Sequence, residues 1–451
     1  MNNKKVYLVL ILLSFLFVSL SALTLAESIE LAKKNNKQFL ADAEEVGKAT
    51  NIYREVKSSI LPQISLSGAV QATKTYLPQS TQTGFSFTDV TQDTGLAYTL
   101  DAILLPAKST EEASIAAQLK ATQLLYSGGQ LLNGIKASKK YKDLQNKSFQ
   151  LKEEQLVFDI TKAYNELLLL NEVVEIQRAA LALANEHYVR VQNMNENGLV
   201  SEYDLLRADL EVTRLSPALE DIENTYQIAV TNFKRLIGYN EDELLLEDKL
   251  KNIEVPAIEL EEAINQGLSH RLELQLSELN VEMMEIQHTA YKGSYLPNIL
   301  LTAEATAFTA SGDYKVHKDE FGHLYQAGIA FQMPIFTGFS NDAKIKQAKH
   351  DLKKSKLNKM NTEDLISIEI TNNWNSMETA KQQLSVQEKN ILTAEKGYQI
   401  ANERYQNNIG IQLEILDAQT QLNAAKVSYI QALHQLNLAV NSFKKSIGIK
   451  L

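Results

Sequence analysis

The residues best suited to chemistry cluster in the segment SGDYKVHKDEFGH, between positions 311 and 323. The segment brings together Asp313, His317, Asp319, Glu320 and His323. Carboxylates and imidazoles of this kind are common metal ligands. The segment falls between two predicted strands, however, where charged side chains generally face solvent. We therefore interpret it as a solvated surface loop, and no metal site is predicted.

The rest of the sequence carries no recognisable active site. Ser127-Gly128-Gly129 lacks the Gly-Lys-Ser/Thr ending of a phosphate-binding loop, and no HExxH motif occurs among the 7 histidines. The chain has no cysteine, which excludes disulfides, thiolate metal sites and a cysteine nucleophile. Its net charge of −10 argues against a nucleic-acid partner. The sequence therefore predicts a protein that is not an enzyme and uses no cofactor.

Four charged residues near two predicted turns are the remaining candidates. Asp204 aligns with Glu414 and Arg207 with Asp417 at one constant offset of 210. Carboxylates that several copies of a chain gather around one axis repel each other and attract cations. What these residues do therefore depends on the elements that position them.

The offset of 210 belongs to an internal duplication. AVTNFKRLIGY (229–239) returns as AVNSFKKSIGI (439–449). Earlier in the chain SSILPQISLSG (58–68) matches GSYLPNILLTA (293–303) at a second offset, 235. The two offsets differ by 25, so the first copy has about 25 extra residues between Pro62 and Tyr126. The chain thus consists of two tandem units.

In both units apolar residues recur with alternating spacings of four and three, which predicts long helices packed side by side. In the first unit these positions are Leu156, Ile160, Ala163, Leu167, Leu170, Val174, Gln177, Leu181, Ala184, Tyr188 and Val191. In the second they are Ile366, Ile370, Asn373, Met377, Ala380, Leu384, Gln387, Ile391, Ala394, Tyr398 and Ala401. Residues 127–193 contain no proline. A helix of ~67 residues, roughly 100 Å long at 1.5 Å per residue, is therefore expected there.

Each unit also contains two runs that alternate between apolar and polar residues, which predicts β-strands. The apolar positions are Ile64, Leu66, Gly68, Val70 and Ala72; Ile115, Ala117, Leu119, Ala121 and Leu125; Ile299, Leu301, Ala303, Ala305 and Ala307; and Tyr325, Ala327, Ile329, Phe331, Met333 and Ile335. Each run is ~10 residues long, enough for a tilted strand to cross an outer membrane with its apolar side facing lipid. A half-buried soluble sheet would show the same alternation. In lipid, four strands cannot close a barrel, so several copies of the chain would have to pool their strands.

The N-terminus has the pattern of an export signal. Lys4 and Lys5 precede the apolar stretch VYLVLILLSFLFVSL, and Ser19, Ser21 and Ala22 offer a cleavage site. No later segment approaches the ~20 apolar residues that a membrane helix needs.

These features together resemble the outer membrane efflux protein family, the TolC-like channels. The resemblance rests on LTLAESIELA near the mature start, Leu-Pro before each strand pair, the corners LYSGG (125–129) and IFTGF (335–339), and GLVSEYDLLRADLE (198–211) with its echo NNIGIQLEILDAQTQL (407–422). Family resemblance implies a mainly α fold with a membrane β part. Tandem-duplicated coiled-coil helices would form an α-barrel, and four strands per chain would join a trimeric 12-stranded β-barrel.

The same resemblance implies the location and the partners. The protein is expected in the cell outer membrane, extending into the periplasm, as a homotrimer in contact with outer-membrane lipid. It would serve as a passive exit duct that works with a periplasmic adaptor (membrane fusion) protein and an inner-membrane efflux pump or ABC-type transporter. An exported coiled-coil scaffold or adhesin with a soluble sheet is the alternative.

Family resemblance also assigns the candidate sites. The adaptor-contact tips would be Gly198, Leu199, Val200, Ser201, Asn408, Ile409, Gly410 and Ile411. The periplasmic gate would consist of Asp204, Arg207, Glu414 and Asp417. Two features depart from the family pattern. Pro217 interrupts a predicted helix, where a bend is expected, and residues 407–414 lack the arginine and tyrosine that other members carry before the second tip acid.

The predicted segments follow the duplication. They are a signal peptide (1–22), a first N-terminal helix (23–62), a first strand pair with a long external loop (63–126), a first helical hairpin (127–238), a linker in an equatorial belt (239–258), a second N-terminal helix (259–297), a second strand pair (298–336), and a second helical hairpin with the C-terminus (337–451).

Overall fold

A computed structural model describes most of the chain: residues 23–88, 97–105, 107–241, 244–311, 321–407 and 409–450. The predicted signal peptide and four of the five loop residues considered for metal binding fall outside these ranges. The fifth, His323, lies in a strand and not in a loop. The chain divides into a helical unit (the described part of residues 1–50, with 140–283 and 352–451) and a strand-bearing unit (51–139 and 284–351).

Helices and strands follow the duplication predicted from the sequence. The helices are α1 (Leu25–Asn35), α2 (Lys37–Ser58), α3 (Gln130–Glu196), α4 (Glu202–Ile237), α5 (Leu260–His270), α6 (Leu272–Lys292), α7 (Ser340–Gln406) and α8 (Gln412–Ser446). The strands are β1 (Gln63–Leu77), β2 (Ser80–Thr88), β3 (Ala97–Leu105), β4 (Lys108–Ser127), β5 (Asn298–Ser311) and β6 (Gly322–Gln332). The starts of α5, α6 and β5 repeat those of α1, α2 and β1 at the offset of 235, and the starts of α7 and α8 repeat those of α3 and α4 at the offset of 210.

Both long helices have the predicted length, 67 residues each. The predicted heptad positions are buried or half-buried in both copies, with Ile160, Leu167 and Val191 fully buried in α3 and Ile370 and Met377 in α7. Helix α4 continues through Pro217 without a break in its assignment. The bend expected at this proline stays a prediction.

The strand-bearing unit contains a four-stranded antiparallel sheet in the order β1-β4-β5-β6. Its register aligns the apolar residues predicted for one face: Leu66 pairs with Leu119, Leu119 with Ala305, and Ala305 with Tyr325. Cross-strand partners share a face, so these side chains form apolar rows across the sheet. Strands β2 and β3 form a separate hairpin within the long loop.

A β-bulge near the end of β4 corrects one prediction. The register shifts between Leu124 and Tyr126, so Tyr126, and not Leu125, pairs with Ile299 and enters its row. Ile299 pairs in turn with Phe331. An extra residue in one strand reverses the alternation beyond it, and a strict period of two cannot anticipate that.

Polar side chains occupy the opposite face of the sheet. Lys120 and Glu304 form an ion pair at 2.6 Å, and Gln118 donates a hydrogen bond to the same carboxylate at 3.2 Å. Gln326 pairs with Glu304 in the ladder. The two faces therefore differ in polarity as an outer-membrane strand requires.

The segment predicted as a linker (239–258) packs against the helical core. The buried Tyr164 donates a hydrogen bond to Asp248 at 2.7 Å, and burial raises the pKa of the Tyr164 hydroxyl. Asn437 donates to the carbonyl of Lys251 at 2.8 Å. Asp248 is itself exposed, so the hydrogen bond ties the segment to the helical core without burying this acid.

The strand-to-helix corner after β4 depends on two glycines. Gly128 has a φ of 60°, and a Cβ added to Gly293 would lie 2.0 Å from the carbonyl oxygen of Gly128. A side chain at Gly293 cannot fit unless the backbone moves. This contact explains why positions 128 and 293 are both glycine.

Candidate functional site

The turn between α3 and α4 carries the first set of predicted tip residues. Gly198 has a φ of 70°, and the amide of Leu199 donates to the carbonyl of Met194 at 2.9 Å. The Asn195 side chain donates to the carbonyl of Val200 at 3.1 Å. Leu199 is 71% exposed. The turn is therefore closed by hydrogen bonds, and the apolar side chain of Leu199 is exposed on it.

Asp204 caps the helix that follows this turn. Ser201 and Asp204 form a capping box, in which the Asp204 carboxylate accepts bonds from the Ser201 amide (3.2 Å) and hydroxyl (2.6 Å). The Ser201 hydroxyl accepts from the Asp204 amide at 3.2 Å. An acid in the first turn also interacts favourably with the helix dipole. Asp204 therefore has a structural role that is independent of any gate.

The turn between α7 and α8 has a different construction. The amides of Ile409 and Gly410 both donate to the carbonyl of Arg404, at 2.9 and 3.0 Å. Glycine in a tight turn often supplies a positive φ, and Gly198 does so, but Gly410 does not; a Cβ there would lie 3.1 Å from the Cβ of Arg404. Ile411 occupies the N-cap without a side-chain cap. Asn408, also predicted at this tip, lies outside the described residues.

Glu414 has a cationic partner that sequence reasoning missed. The Nε atom of Arg404 lies 3.5 Å from the Glu414 carboxylate. Arg404 and Tyr405 lie in the last turn of α7, just before the stretch 407–414, which itself contains neither arginine nor tyrosine. Arg404 therefore supplies a positive charge at the second tip acid, although it belongs to the preceding helix.

Arg207 and Asp417 have other neighbours. The Nε atom of Arg207 donates to the Tyr203 hydroxyl at 2.9 Å, and its guanidinium lies 4.9 Å from the centre of the same ring. The Asp417 carboxylate accepts from Gln421 at 2.8 Å. In the described part of the chain, no ion pair joins Arg207 to any of the three predicted gate acids.

The two tips touch through Gln412. The side-chain amide of Gln412 donates a hydrogen bond to the carbonyl of Asp204 at 3.0 Å, and Gln412 itself is buried, with 8% of its surface exposed. This bond connects the first turn of α8 to the first turn of α4. The structure therefore brings together the two elements that carry Asp204 and Glu414.

A buried histidine and a half-buried tyrosine lie in contact near the tips. His187 and Tyr405 make an edge-to-face contact with centroids 5.6 Å apart. Burial lowers the pKa of the His187 imidazole, and the positive charge of Arg190 lowers it further. Burial raises the pKa of the Tyr405 hydroxyl. Within the described residues, neither the His187 Nε2 atom nor the Tyr405 hydroxyl has a hydrogen-bond partner. No spacing in the sequence signals this pair, since one ring belongs to α3 and the other to α7.

The described residues contain no group of three or more histidine, aspartate and glutamate side chains arranged to hold a metal ion. Among the described helices, none has the length and apolar character needed to span a membrane.

Comparisons with known proteins agree with this architecture. The family model described as outer membrane efflux protein matches residues 28–239 and 263–449. The outer membrane efflux protein BepC of Brucella suis biovar 1 (strain 1330) is 21% identical over 336 residues, which are 73% of this chain and 71% of BepC.

Solved structures show the same fold. The CmeC outer membrane channel of Campylobacter jejuni superposes with a TM-score of 0.73 at 18% identity, over 94% of this chain and 85% of CmeC. The open-state MtrE outer membrane channel of Neisseria gonorrhoeae gives 0.73 at 14% identity, over 95% of this chain and 89% of MtrE. Since the family model covers both tandem units, the chain belongs to the outer membrane efflux protein family and is an outer-membrane channel for efflux.

Proposed function

We propose that the protein is the exit duct of a tripartite exporter and that it works as a homotrimer with a 12-stranded barrel. The observation that carries this proposal is the four-stranded sheet with one apolar face and two open edges, β1 and β6. Unpaired strand edges are not tolerated in lipid, so copies of the chain must share their strands. The smallest membrane barrels have eight strands, and membership of the family selects three copies.

The height of the apolar face supports a membrane position. Its rows extend from Tyr126, paired with Ile299, to an ion pair between Lys74 and Glu111 at 2.6 Å. Fifteen positions of β4 separate Tyr126 from Glu111, one of them the bulge. At ~3.4 Å per residue and a tilt of ~40°, this is roughly 35 Å along the membrane normal. That height lies between the ~30 Å hydrocarbon core and the ~40–45 Å full thickness of a bilayer.

The duct would be a passive conduit and not an enzyme. It would depend on an inner-membrane efflux pump or ABC-type transporter for energy and on a periplasmic adaptor to connect the two. In this scheme segment 239–258 belongs to an equatorial belt, and the helical hairpins 127–238 and 337–451 form the periplasmic tunnel.

Fractionation with heat-modified gel mobility tests the proposal. We expect the protein in the outer-membrane fraction, extractable only with detergent, as a trimer that dissociates on heating. A monomer that is soluble without detergent would overturn the proposal and favour an exported scaffold with a soluble sheet.

We also propose that the two tips dock the adaptor. Leu199, Ile409 and Ile411 are 71%, 72% and 60% exposed beside turns closed by backbone hydrogen bonds. Apolar side chains held bare on rigid turns suit the apolar face of a partner helix.

Crosslinking to the adaptor tests the docking proposal. Leu199→Asp and Ile411→Asp should each reduce crosslinking without affecting the trimer, because an aspartate would have to be buried in the contact. Leu392→Asp, at a similarly exposed position (65%) of α7, is the matched control. Equal crosslinking in all three variants would mean that the tips only reverse the direction of the chain and do not contact the adaptor.

The gate proposal places Asp204, Glu414 and Asp417 in rings of three around the tunnel axis. Like charges ~7 Å apart repel by roughly 0.6 kcal/mol at a dielectric constant of 80 and about 2.4 kcal/mol at 20. A closed ring therefore needs bound cations or fixed partners. Arg404, beside Glu414, supplies one such partner within the protomer, and Arg207 would supply another across the assembly.

Single-channel recording tests the gate. The double variant Glu414→Ala/Asp417→Ala should show weaker cation preference and lose block by multivalent cations added from the periplasmic side. Glu202→Ala, which removes an exposed acid of the first tip, is the control. Unchanged selectivity and block in the double variant would place the constriction elsewhere.

A further inference from the structure

A cavity in the helical unit has no role in the proposed duct. It has a volume of about 480 Å³ and lies between the end of α1, the first half of α3, the junction of α5 and α6, and the segment that ends α8. Val157, Leu272 and Ile449 contribute apolar surface to its lining. A cavity of this size can hold a small organic molecule.

The charged part of the lining is mainly basic, with the four lysines Lys33, Lys147, Lys445 and Lys450. Lys33 forms an ion pair with Glu153 at 2.9 Å. The ammonium group of Lys445 contacts the side-chain oxygen of Gln155 and lies 4.7 Å from the centre of the Phe158 ring. Among the described residues, no carboxylate lies within ion-pair distance of Lys147, Lys445 or Lys450.

Glu154 is the remaining acid in the lining, and it does not neutralise these lysines. Burial raises the pKa of Glu154, and the negative charge of Glu273 raises it further. The attraction of Lys450, Arg271 and Lys445 does not outweigh these two effects. A carboxylate in close contact with the lysines would have a lowered pKa instead. The cavity therefore has an excess of positive charge, although the whole chain has a net charge of −10.

The internal duplication shows that the fold does not require these lysines. At the offsets of 235 and 210, the residues corresponding to Lys33, Lys147 and Lys450 are Leu268, Leu357 and Asn240. The backbone is nevertheless alike in the two units, since Gly448 and its counterpart Gly238 both end a long helix with a positive φ, 76° and 66°. Three of the four lysines are thus specific to this cavity and not to the repeated architecture.

We propose that this cavity binds a small organic dianion, whose carboxylate or phosphate groups contact Lys147, Lys445 and Lys450 and whose apolar part lies against Val157 and Leu272. Each lysine would donate a charge-assisted hydrogen bond to the ligand. The ligand would connect α3 of the first unit to the end of α8 in the second. The helices next to the edge strands β1 and β6 are α2 and α7, and neither lines the cavity. Pairing of sheet edges between copies of the chain therefore does not involve its walls.

Isothermal titration calorimetry tests the site. Full-length protein in the non-ionic detergent dodecyl maltoside, in a Tris buffer of low ionic strength, would be titrated with phthalate and with inorganic phosphate. We expect saturable binding of phthalate at one site per chain. Inorganic phosphate should bind more weakly, because it has no apolar part to contact Val157 and Leu272.

The duplication also supplies the variant. Lys147→Leu/Lys450→Asn introduces the residues of the other unit and should weaken phthalate binding at least about tenfold, because two charge-assisted hydrogen bonds are lost. Lys152→Leu/Lys354→Asn makes the same change of charge at exposed positions of α3 and α7 and should bind phthalate like the parent protein. Lys450→Asn alone, at an exposed position, keeps the test usable if the first double variant folds poorly.

Three results would contradict the proposal. Absence of saturable phthalate binding to the parent protein, or equal affinity in the two double variants, would overturn the site. Binding of inorganic phosphate as tightly as phthalate would overturn the assignment of an organic ligand.

Discussion

Replacing Leu119 by arginine is the sharpest test of which face of the sheet meets lipid. Leu119 belongs to the row that joins Leu66, Ala305 and Tyr325, and its side chain is 48% exposed. Its neighbour Gln118 points to the opposite face, where it donates to Glu304. Leu119 and Gln118 are adjacent in one strand, so their side chains lie on opposite faces of the sheet at nearly the same depth in the membrane.

The expected magnitude follows from the position of Leu119 along the strand. Its partner Ala305 lies six residues from Ile299, which is roughly 15 Å along the membrane normal at ~3.4 Å per residue and a tilt of ~40°. This is close to the middle of a ~30 Å core. An arginine at that depth costs about 2–4 kcal/mol per protomer. Ile329 lies only two residues from Phe331, so arginine there should cost less, about 0–1 kcal/mol.

Equilibrium unfolding in lipid vesicles measures this difference. Leu119→Arg should lower the free energy of unfolding by the amount given above, whereas Gln118→Arg should change it by less than about 1 kcal/mol, because a water-facing arginine beside Glu304 gains only a weak ion pair. The control Leu119→Ala measures the loss of stability caused by removing the leucine side chain, which is then subtracted from the loss in Leu119→Arg to give the cost of the charge. Equal losses of stability in the two arginine variants would show that the sheet has no lipid-facing side.

Two further predictions concern packing and pH. Gly293→Ala should destabilise the protein by about 1–3 kcal/mol, because the added methyl group collides with the Gly128 carbonyl. The control Gly397→Ala, in an open position of α7, should stabilise the protein by about 0.5–1 kcal/mol. If thermal unfolding shows Gly293→Ala to be the more stable of the two variants, the corner geometry is wrong. Burial lowers the pKa of His187 below its ordinary value of 6.5, so the unfolded chain binds the proton more readily and folded-state stability falls as the pH drops below about 6.5. The loss of thermal stability between about pH 7.5 and 5.5 should be smaller in His187→Gln than in wild type or in the exposed control His350→Gln, and an equal loss in all three would show that His187 does not contribute.

Periodicity explains what the sequence could predict. The placement of Leu66 and Leu119 on one face of the sheet and the burial of Ile160 and Ile370 follow from regular spacings of two and of four and three. Because a regular element repeats its geometry, a pattern that persists over many residues determines which side chains share a face. The duplication doubled this signal, since the helices and the strands of the four-stranded sheet each have a counterpart in the other unit.

Contacts between distant residues could not be predicted in the same way. The hydrogen bond from Tyr164 to Asp248 and the edge-to-face pair of His187 and Tyr405 join residues far apart in the sequence. They depend on how helices and linker pack, for which a single sequence carries no spacing rule. The contact of Arg404 with Glu414 crosses only a short turn, so the position of an arginine in the last turn of the preceding helix is the sequence signal for it.

Current recorded across a planar lipid bilayer shows whether this chain forms a channel. Purified protein, extracted as a trimer and added to one side, should insert to give discrete conductance steps with a preference for cations, and heat-dissociated protein from the same preparation should give none. A preparation shown to be trimeric that never produces a conductance step, alone or with its adaptor, would mean that this chain does not form an outer-membrane duct.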